Sequence, residues 1–171
     1  EQLILSMLKI TRLDTGNIVF EQTPCTVKEI IENATNELTT RAVHENKQII
    51  VTGDHNQTIT CAIDWTSEAI ENLVKNSIDH TDPGGIIRIT WEKSPTMLRI
   101  IVSDNGNGIA PEDIHHIFKR FYRSKQSLDM PGIGLGLPLA KSIIEGQGGL
   151  ISVQSDLNRG TTFTISFLTE S

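Results

Sequence analysis

The sequence predicts a two-layer α/β sandwich, in which one mixed, mostly antiparallel sheet of about five strands carries three main helices on one face. Two observations predict this class. Segments with helical and with strand periodicity alternate irregularly along the 171 residues, and neighbouring strands occur in the adjacent pairs typical of antiparallel ladders. A chain of this length is long enough for one domain with its own core and too short for two ordinary domains.

The composition is globular, with 37% hydrophobic and 21% charged residues. A formal net charge of −6 argues against a general binder of nucleic acid or of anionic membranes, because such proteins present a basic face. The two cysteines form no metal-spaced cluster and no disulfide framework, which is typical of a reducing compartment. Eleven of the 13 glycines lie between Gly84 and Gly160, so this half of the chain needs unusual backbone.

A helix is predicted at the start of the chain, because Leu3, Met7, Ile10 and Asp14 follow one another at helical spacing. Gly16 ends it as a left-handed C-cap would. Alone, this helix would expose much apolar surface. We therefore expect it to pack on a helix that lies outside the chain.

The next segments predict a strand, an amphipathic helix and two short strands. The strand is predicted over 17–23 and the helix over 26–47, where Thr26 and Glu29 have the spacing of a capping box. The two short strands, 48–54 and 57–63, are candidates for a pair.

A long stretch punctuated by glycine, 105–135, follows in the second half and carries a predicted short helix over 112–123. The remaining elements are helices over about 64–80 and 136–147 and strands over 85–92, 98–104, 150–156 and 161–168.

One arc of the predicted helix over 64–80 is polar. Asn72, Asn76, Asp79 and His80 fall within this arc at about 100° per residue, and apolar side chains point the opposite way. An amide oxygen can bind a hard cation such as Mg²⁺, which otherwise keeps water and phosphate ligands. The same stripe is also typical of an ordinary solvated helix face.

An acidic residue, Asp104, stands at the end of a predicted strand and is followed at once by a glycine-rich turn containing Gly106 and Gly108. A carboxylate there can accept a hydrogen bond from an amine, and the glycines allow backbone to approach a ligand closely. A plain Asp-Asn-Gly turn is the alternative interpretation.

Three glycines, Gly132, Gly134 and Gly136, immediately precede a predicted helix. Bare backbone N–H groups and a helix N-terminus favour phosphate. Their spacing fits neither the Rossmann nor the P-loop pattern, so both of those folds are rejected.

The stretch between the two glycine clusters is locally basic in an acidic chain. Phe118 and Phe121 are expected to anchor it to the core, and a mobile basic flap of this kind suits a polyphosphate. Its charged residues within 105–135 are four bases against three acids, namely Lys119, Arg120, Arg123 and Lys125 against Glu112, Asp113 and Asp129.

These four features, in this order, resemble the catalytic and ATP-binding domain of bacterial sensor histidine kinases, which belong to an ATPase superfamily with DNA gyrase, heat-shock chaperones and mismatch-repair proteins. The resemblance covers about 17–168. It implies the Bergerat fold, with a flexible ATP lid over about 105–135. It also implies that residues 1–16 are the end of a second dimerisation helix and that 17–171 form the catalytic domain.

The resemblance implies ATP and Mg²⁺ as cofactors and assigns roles to individual residues. Asn76 matches the Mg²⁺ ligand, Asn72 lies near the phosphates, and Asp104 matches the acid that binds the adenine amine. His80, Arg120 and Arg123 are expected to contact phosphate. The remaining residues matched to the nucleotide site are Gly106, Gly108, Ile109, Phe121, Gly132, Gly134, Leu135, Gly136, Leu137 and, beneath the adenine, Thr162.

The chain departs from the family where Asp79-His80-Thr81 replaces the frequent Lys-Tyr-Thr. A lysine contact to phosphate is therefore missing, and we expect His80 or the lid bases to replace it. Hydrolysing relatives carry a glutamate at the position of Asn72. Since an amide cannot take a proton from water, slow hydrolysis is expected here.

The resemblance further implies that ATP phosphorylates a histidine outside this chain, because none of its five histidines lies in the family's phosphoacceptor motif. The implied partners are the dimerisation domain of the same parent protein and a response-regulator receiver domain. Neither nucleic acid nor direct membrane contact is expected. The implied parent is a membrane-anchored bacterial homodimer with this domain in the cytoplasm, and the piece itself is expected to be monomeric.

Two alternatives stay open. A serine-protein kinase of the anti-sigma-factor type shares these motifs, although it lacks the helix that precedes residue 17. A non-catalytic module with a degenerate nucleotide site is the other, and intact Asn76, Asp104 and lid glycines argue against it.

Overall fold

The computed structural model of the chain describes residues 2–124, 127–128 and 132–169. Within these ranges the helices are α1 (Gln2–Asp14), α2 (Val27–His44), α3 (Ile63–Asp79) and α4 (Gly136–Gly146), and the strands are β1 (Thr23–Thr26), β2 (Gln48–Thr52), β3 (Thr58–Cys61), β4 (Ile86–Lys93), β5 (Met97–Asp104), β6 (Leu150–Asp156) and β7 (Gly160–Leu168).

Five of the strands form one sheet in the order β2-β4-β5-β7-β6. The β2–β4 pair is parallel and the other three pairs are antiparallel. β1 and β3 form a separate antiparallel ladder. The predicted mixed, mostly antiparallel sheet of five strands is confirmed.

One face of this sheet is buried beneath the helices. Along β5 burial alternates strictly, so that Ile100 and Val102 are completely buried while their neighbours are half-buried. Phe163 on β7 is buried on the same side, opposite Val102. α2, α3 and α4 pack on this face, so the two-layer sandwich is confirmed.

The central helix α3 packs against this face through its apolar side. Ile70, Leu73, Val74, Ser77 and Ile78 have no exposed surface. The prediction that the apolar arc of this helix points away from its asparagines is therefore confirmed.

The capping box predicted for α2 is present. The Thr26 hydroxyl accepts a hydrogen bond from the Glu29 amide at 3.2 Å, and the Glu29 carboxylate accepts one from the Thr26 amide at 3.0 Å. These two bonds satisfy amide groups that the first helical turn leaves without partners.

Helix α1 ends as predicted, with Gly16 at a φ of 71° just after its last turn. Its outer surface carries four exposed apolar side chains, Leu3, Ile4, Leu5 and Leu8. Packing of this surface on a further helix remains a prediction. No helix in the described ranges combines the length and the apolar character needed to cross a membrane.

Residues 17–22 do not form the predicted strand, which instead begins at Thr23. The alternation of Ile18 and Phe20 has another cause: both pack against the core, and the Phe20 ring meets Trp65 edge-on with centroids 6.1 Å apart. Val19 between them is exposed. The period-2 pattern therefore marks a loop lying over α3 and not a ladder.

The expected pairing of the strands near 48–54 and 57–63 is wrong. β2 joins the main sheet by pairing with β4, whereas β3 pairs with β1. Both partners are distant in sequence, and the long crossover through α3 is the connection that a parallel pair requires.

The predicted short helix over 112–123 is also wrong, because the described residues there form successive turns. The amides of Asp113, His116 and Lys119 each donate to the carbonyl three residues earlier, at 2.8–3.0 Å. Phe121 then adopts a φ of 64°, which helical backbone excludes. Lys125 and Asp129 of the predicted basic stretch lie outside the described residues.

We predict that Ile100→Ala destabilises the chain by about 2–5 kcal/mol, because it removes a fully buried side chain and leaves a cavity. Urea denaturation monitored by circular dichroism measures the change. Val19→Ala, at a side chain with 89% exposure, is the matched control and is expected to change stability by less than about 0.5 kcal/mol. Similar losses for both variants would contradict the described core.

Candidate functional site

A cavity of about 620 Å³ opens between α3, the turn after β5 and the N-terminus of α4. The four polar side chains of the α3 stripe, Asn72, Asn76, Asp79 and His80, all line it. The opposite side of α3 is buried on the sheet, so this stripe faces away from the core.

Asn72 and Asn76 differ in how they are held. The Asn72 amide nitrogen donates to the Glu68 carbonyl at 3.0 Å, which fixes the orientation of its oxygen. The Asn76 side chain makes no hydrogen bond to any described residue. Its amide oxygen is therefore available to a ligand.

His80 caps the C-terminal end of α3 and lines the same cavity. Burial lowers the pKa of its imidazole, although the nearby carboxylates of Asp79 and Asp104 oppose that effect. The ring is therefore neutral near pH 7 and can donate one hydrogen bond and accept another.

Asp104 stands at the end of β5 and is 8% exposed. Its Oδ1 accepts hydrogen bonds from the amides of Gly106 at 2.9 Å and Thr161 at 3.3 Å. Burial raises the pKa of this carboxyl, and the two amides oppose the rise. The Ser77 hydroxyl, buried next to it, also opposes the rise, and Asp104 and Gly106 themselves are not in the lining of the cavity.

The turn after Asp104 depends on glycine. A Cβ on Gly106 would stand 2.2 Å from the His80 carbonyl oxygen, and Gly108 has a φ of 70°. The amide of Asn107 donates to the same His80 carbonyl at 2.9 Å. The turn is thus bound to the end of α3, and it brings Gly108 and Ile109 into the lining of the cavity.

The N-terminus of α4 faces the cavity without a side-chain cap. Gly136 begins this helix, and a Cβ there would lie 3.2 Å from Asn72 Oδ1. Free amides at a helix N-terminus favour an anion. The predicted residues that line the cavity around this terminus are Gly132, Gly134, Leu135, Gly136 and Leu137.

The predicted lid residues separate into two groups. Arg123 lines the cavity and donates to the Ser127 carbonyl. Arg120 instead forms an ion pair with Asp14 at the end of α1, and Asp14 also accepts a hydrogen bond from Ser142 at 3.0 Å. Phe121 is 52% exposed and its amide donates to the Gly134 carbonyl, so neither Arg120 nor Phe121 is in the lining.

Thr162 lies on the far face of the sheet, where its hydroxyl meets that of Ser103 at 2.9 Å. Side chains alternate along a strand, so the preceding residue, Thr161, points toward the helices and lines the cavity. Of the two threonines the structure therefore brings Thr161, and not the predicted Thr162, to the cavity. The sequence does distinguish the two faces, because Thr161 stands two residues before Phe163 and four before Ile165, so all three share the buried side of the strand.

Arg41 of α2 also lines the cavity, and sequence reasoning missed it. Its guanidinium pairs with Asp79 and with Glu45. The spacing of Arg41 and Glu45 on one helix predicts their own ion pair. No pattern in the sequence connects them with Asp79, which lies on another helix.

Comparison with known proteins places these residues in a family. The family described as "Histidine kinase-, DNA gyrase B-, and HSP90-like ATPase" matches residues 61–171. This range contains the polar stripe of α3, Asp104 and the N-terminus of α4.

Two named relatives match over most of the chain. The sensor histidine kinase RppB of Synechocystis sp. is 33% identical over 171 residues, covering 96% of this chain and 37% of the relative. The signal transduction histidine-protein kinase/phosphatase MprB of Mycolicibacterium paratuberculosis is 30% identical, covering 96% and 31%. The chain thus spans about a third of each.

Among solved structures, the catalytic domain of histidine kinase ThkA has a TM-score of 0.76 and 27% sequence identity, and the match covers 86% of this chain and 95% of that domain. The similarity of fold, the elements that line the cavity and the sequence similarity all point to the same family. The chain belongs to the family of histidine kinase-, DNA gyrase B- and HSP90-like ATPases.

Proposed function

We propose that this chain binds Mg·ATP and transfers the γ-phosphoryl group to a histidine of a separate domain, as the catalytic domain of a sensor histidine kinase. The observation that carries the proposal is the convergence of the α3 stripe and the uncapped N-terminus of α4 on one cavity. Membership of the ATPase family and likeness to two kinases that act on histidine support it.

In this proposal residues 1–16 end a dimerisation helix, and 17–171 form the catalytic domain with a lid over about 105–135. The exposed apolar side chains of α1 support a helical partner, since such surface is costly to leave in water. The parent protein would be a membrane-anchored homodimer that passes phosphate to a response-regulator receiver domain.

For the nucleotide, we propose that Asp104 accepts a hydrogen bond from the adenine amine, with Gly106, Gly108 and Ile109 beside the base. Thr161 replaces Thr162 in this role because its side chain is on the cavity side of the sheet. The polyphosphate lies at the N-terminus of α4, near Asn72 and Arg123. Free backbone amides there complement negative charge.

Mg²⁺ fits the proposed site because Asn76 supplies an amide oxygen without another partner, and hard cations prefer oxygen ligands. Within the described ranges no group of three or more histidine, cysteine or acidic side chains is arranged to hold a metal. Phosphate and water would therefore complete its coordination, and the ion would neutralise charge on the phosphoryl group during transfer.

The chemistry is transfer and not hydrolysis. A histidine nitrogen attacks the γ-phosphorus in line, the P–N bond forms, the bond to the bridging oxygen breaks, and ADP leaves. Asn72 cannot act as a base toward water, and Glu71 is not in the lining of the cavity. We propose that Arg123 and the neutral His80, which both line the cavity, donate hydrogen bonds to phosphate oxygens.

We predict that Asn76→Ala removes most of the Mg²⁺-dependent part of ATP affinity, a loss of roughly tenfold or more. Calorimetric titration with ATP, with and without Mg²⁺, measures it. Asn36→Ala, at an exposed position of α2, is the matched control and should bind as the wild type does. An unchanged effect of Mg²⁺ in Asn76→Ala would remove this residue from the metal site.

The wild type is expected to bind adenosine more tightly than purine riboside, which lacks the amine, by about tenfold or more. Asp104→Asn should reduce this preference. Protonation of Asp104 removes the anionic acceptor, so the preference for adenosine should also weaken as the pH falls. Because burial raises the pKa of Asp104, this weakening should begin at a higher pH than for an ordinary aspartate. A preference that Asp104→Asn leaves intact would exclude Asp104 as the partner of the amine.

The chain alone, incubated with Mg·ATP, is expected to form no stable phosphohistidine. Its histidines are His44, His55, His80, His115 and His116. Adding a dimerisation domain that carries a phosphoacceptor histidine should restore transfer, measured as acid-labile label from γ-labelled ATP. Acid-stable label on a serine-bearing acceptor would favour the serine-kinase alternative, and label on this chain would contradict the prediction.

A further inference from the structure

The ion pair between Arg41 and Asp79 joins α2 to α3 at the edge of the candidate nucleotide cavity. Both side chains line that cavity. Asp79 is three residues beyond Asn76 on α3, and side chains at this spacing are neighbours on a helix surface. The guanidinium therefore lies next to the proposed Mg²⁺ ligand.

The orientation of Arg41 is fixed from two sides. Its Nε donates to Glu45 Oε2 at 2.6 Å and its Nη2 donates to Asp79 Oδ1. Glu45 is itself held by Lys47, whose Nζ also donates to the Ile78 carbonyl at 2.7 Å. The guanidinium is thus a preorganised donor, because its position does not depend on a ligand.

The pairing uses only part of what Arg41 offers. A guanidinium has five N–H groups, and Nε and Nη2 each use one of them here, so three remain. The side chain is 35% exposed, which leaves it accessible from the cavity. A planar donor fork of this kind suits the oxygens of phosphate.

Charge at this edge of the cavity also requires a cation. Asp79 alone would repel a polyphosphate, and His80 is neutral because burial lowers its pKa. Arg41 offsets the Asp79 carboxylate and remains positively charged at every physiological pH. Lys75 and Arg123 also line the cavity, and Arg41 is the one of these three for which an ion pair with Asp79 is seen among the described residues.

We propose that Arg41 is a phosphate-contacting residue of the nucleotide site, oriented by Asp79 and Glu45. The inference rests on the proposed function, which supplies the polyphosphate. It makes Arg41, from a helix outside the motifs of the sequence, an oriented cation paired with Asp79, in addition to Lys75 of α3, which lines the same cavity. A purely structural clamp between α2 and α3 is the competing explanation.

The two explanations differ in their dependence on phosphate. We predict that Arg41→Gln weakens ATP binding by about tenfold or more, because a charge-assisted hydrogen bond is lost, while adenosine binding changes less than about twofold. Calorimetric titration of the chain with ATP, ADP and adenosine measures the three affinities. Arg88→Gln, at an exposed position of β4, is the matched control and should leave all three unchanged.

Arg41→Lys keeps the charge and provides the test if Arg41→Gln does not fold. It should retain part of the ATP affinity and all of the adenosine affinity, because lysine lacks the planar fork. Equal losses of affinity for ATP and adenosine in the variants, or no loss for either ligand, would overturn the role of Arg41. The proposed function would still stand in that case, provided that the wild type binds ATP. A wild type that binds no ATP would overturn both.

Discussion

Burial of the apolar side of α3 against the centre of the sheet is the constraint on which the site depends. The helix has no exposed surface at Leu73 or Val74, so its rotation about its own axis is fixed. That rotation puts Asn72 beside Gly136 at the N-terminus of α4 and Asn76 in the lining of the cavity. The core therefore sets the direction of the polar stripe, and local hydrogen bonds such as that from Asn72 to the Glu68 carbonyl then orient individual side chains.

Local periodicity predicted the elements whose burial is itself local. α3, α4 and the strands from β4 to β7 follow from one-sided apolar patterns, and the α2 capping box follows from Thr26 and Glu29 alone. In residues 17–22 the same local pattern has a different cause. Ile18 and Phe20 alternate with polar neighbours as a strand does, yet packing on Trp65 satisfies the same pattern in a loop.

The rest could not be predicted because it depends on which distant segments meet. Arg41 of α2 pairs with Asp79 of α3, and β2 pairs with β4 although β3 and α3 separate them in the sequence. The choice between Thr161 and Thr162, by contrast, follows from the sequence, since Thr161 stands two residues before the buried Phe163 and shares its face of the strand. The residues with functional side chains could be predicted from the sequence, whereas the distant residues that they contact could not.

The glycines around Asp104 have a consequence for how this chain can change. A Cβ on Gly106 would meet the His80 carbonyl, one on Gly108 the Asp156 carbonyl, and one on Gly160 the Asp104 carbonyl. Each obstacle is main chain, so no trimming of a neighbouring side chain could make room. A substitution at any of these three glycines therefore cannot be compensated by exchanging a neighbouring side chain. The sequence of the turn can change only if whole segments of backbone move together.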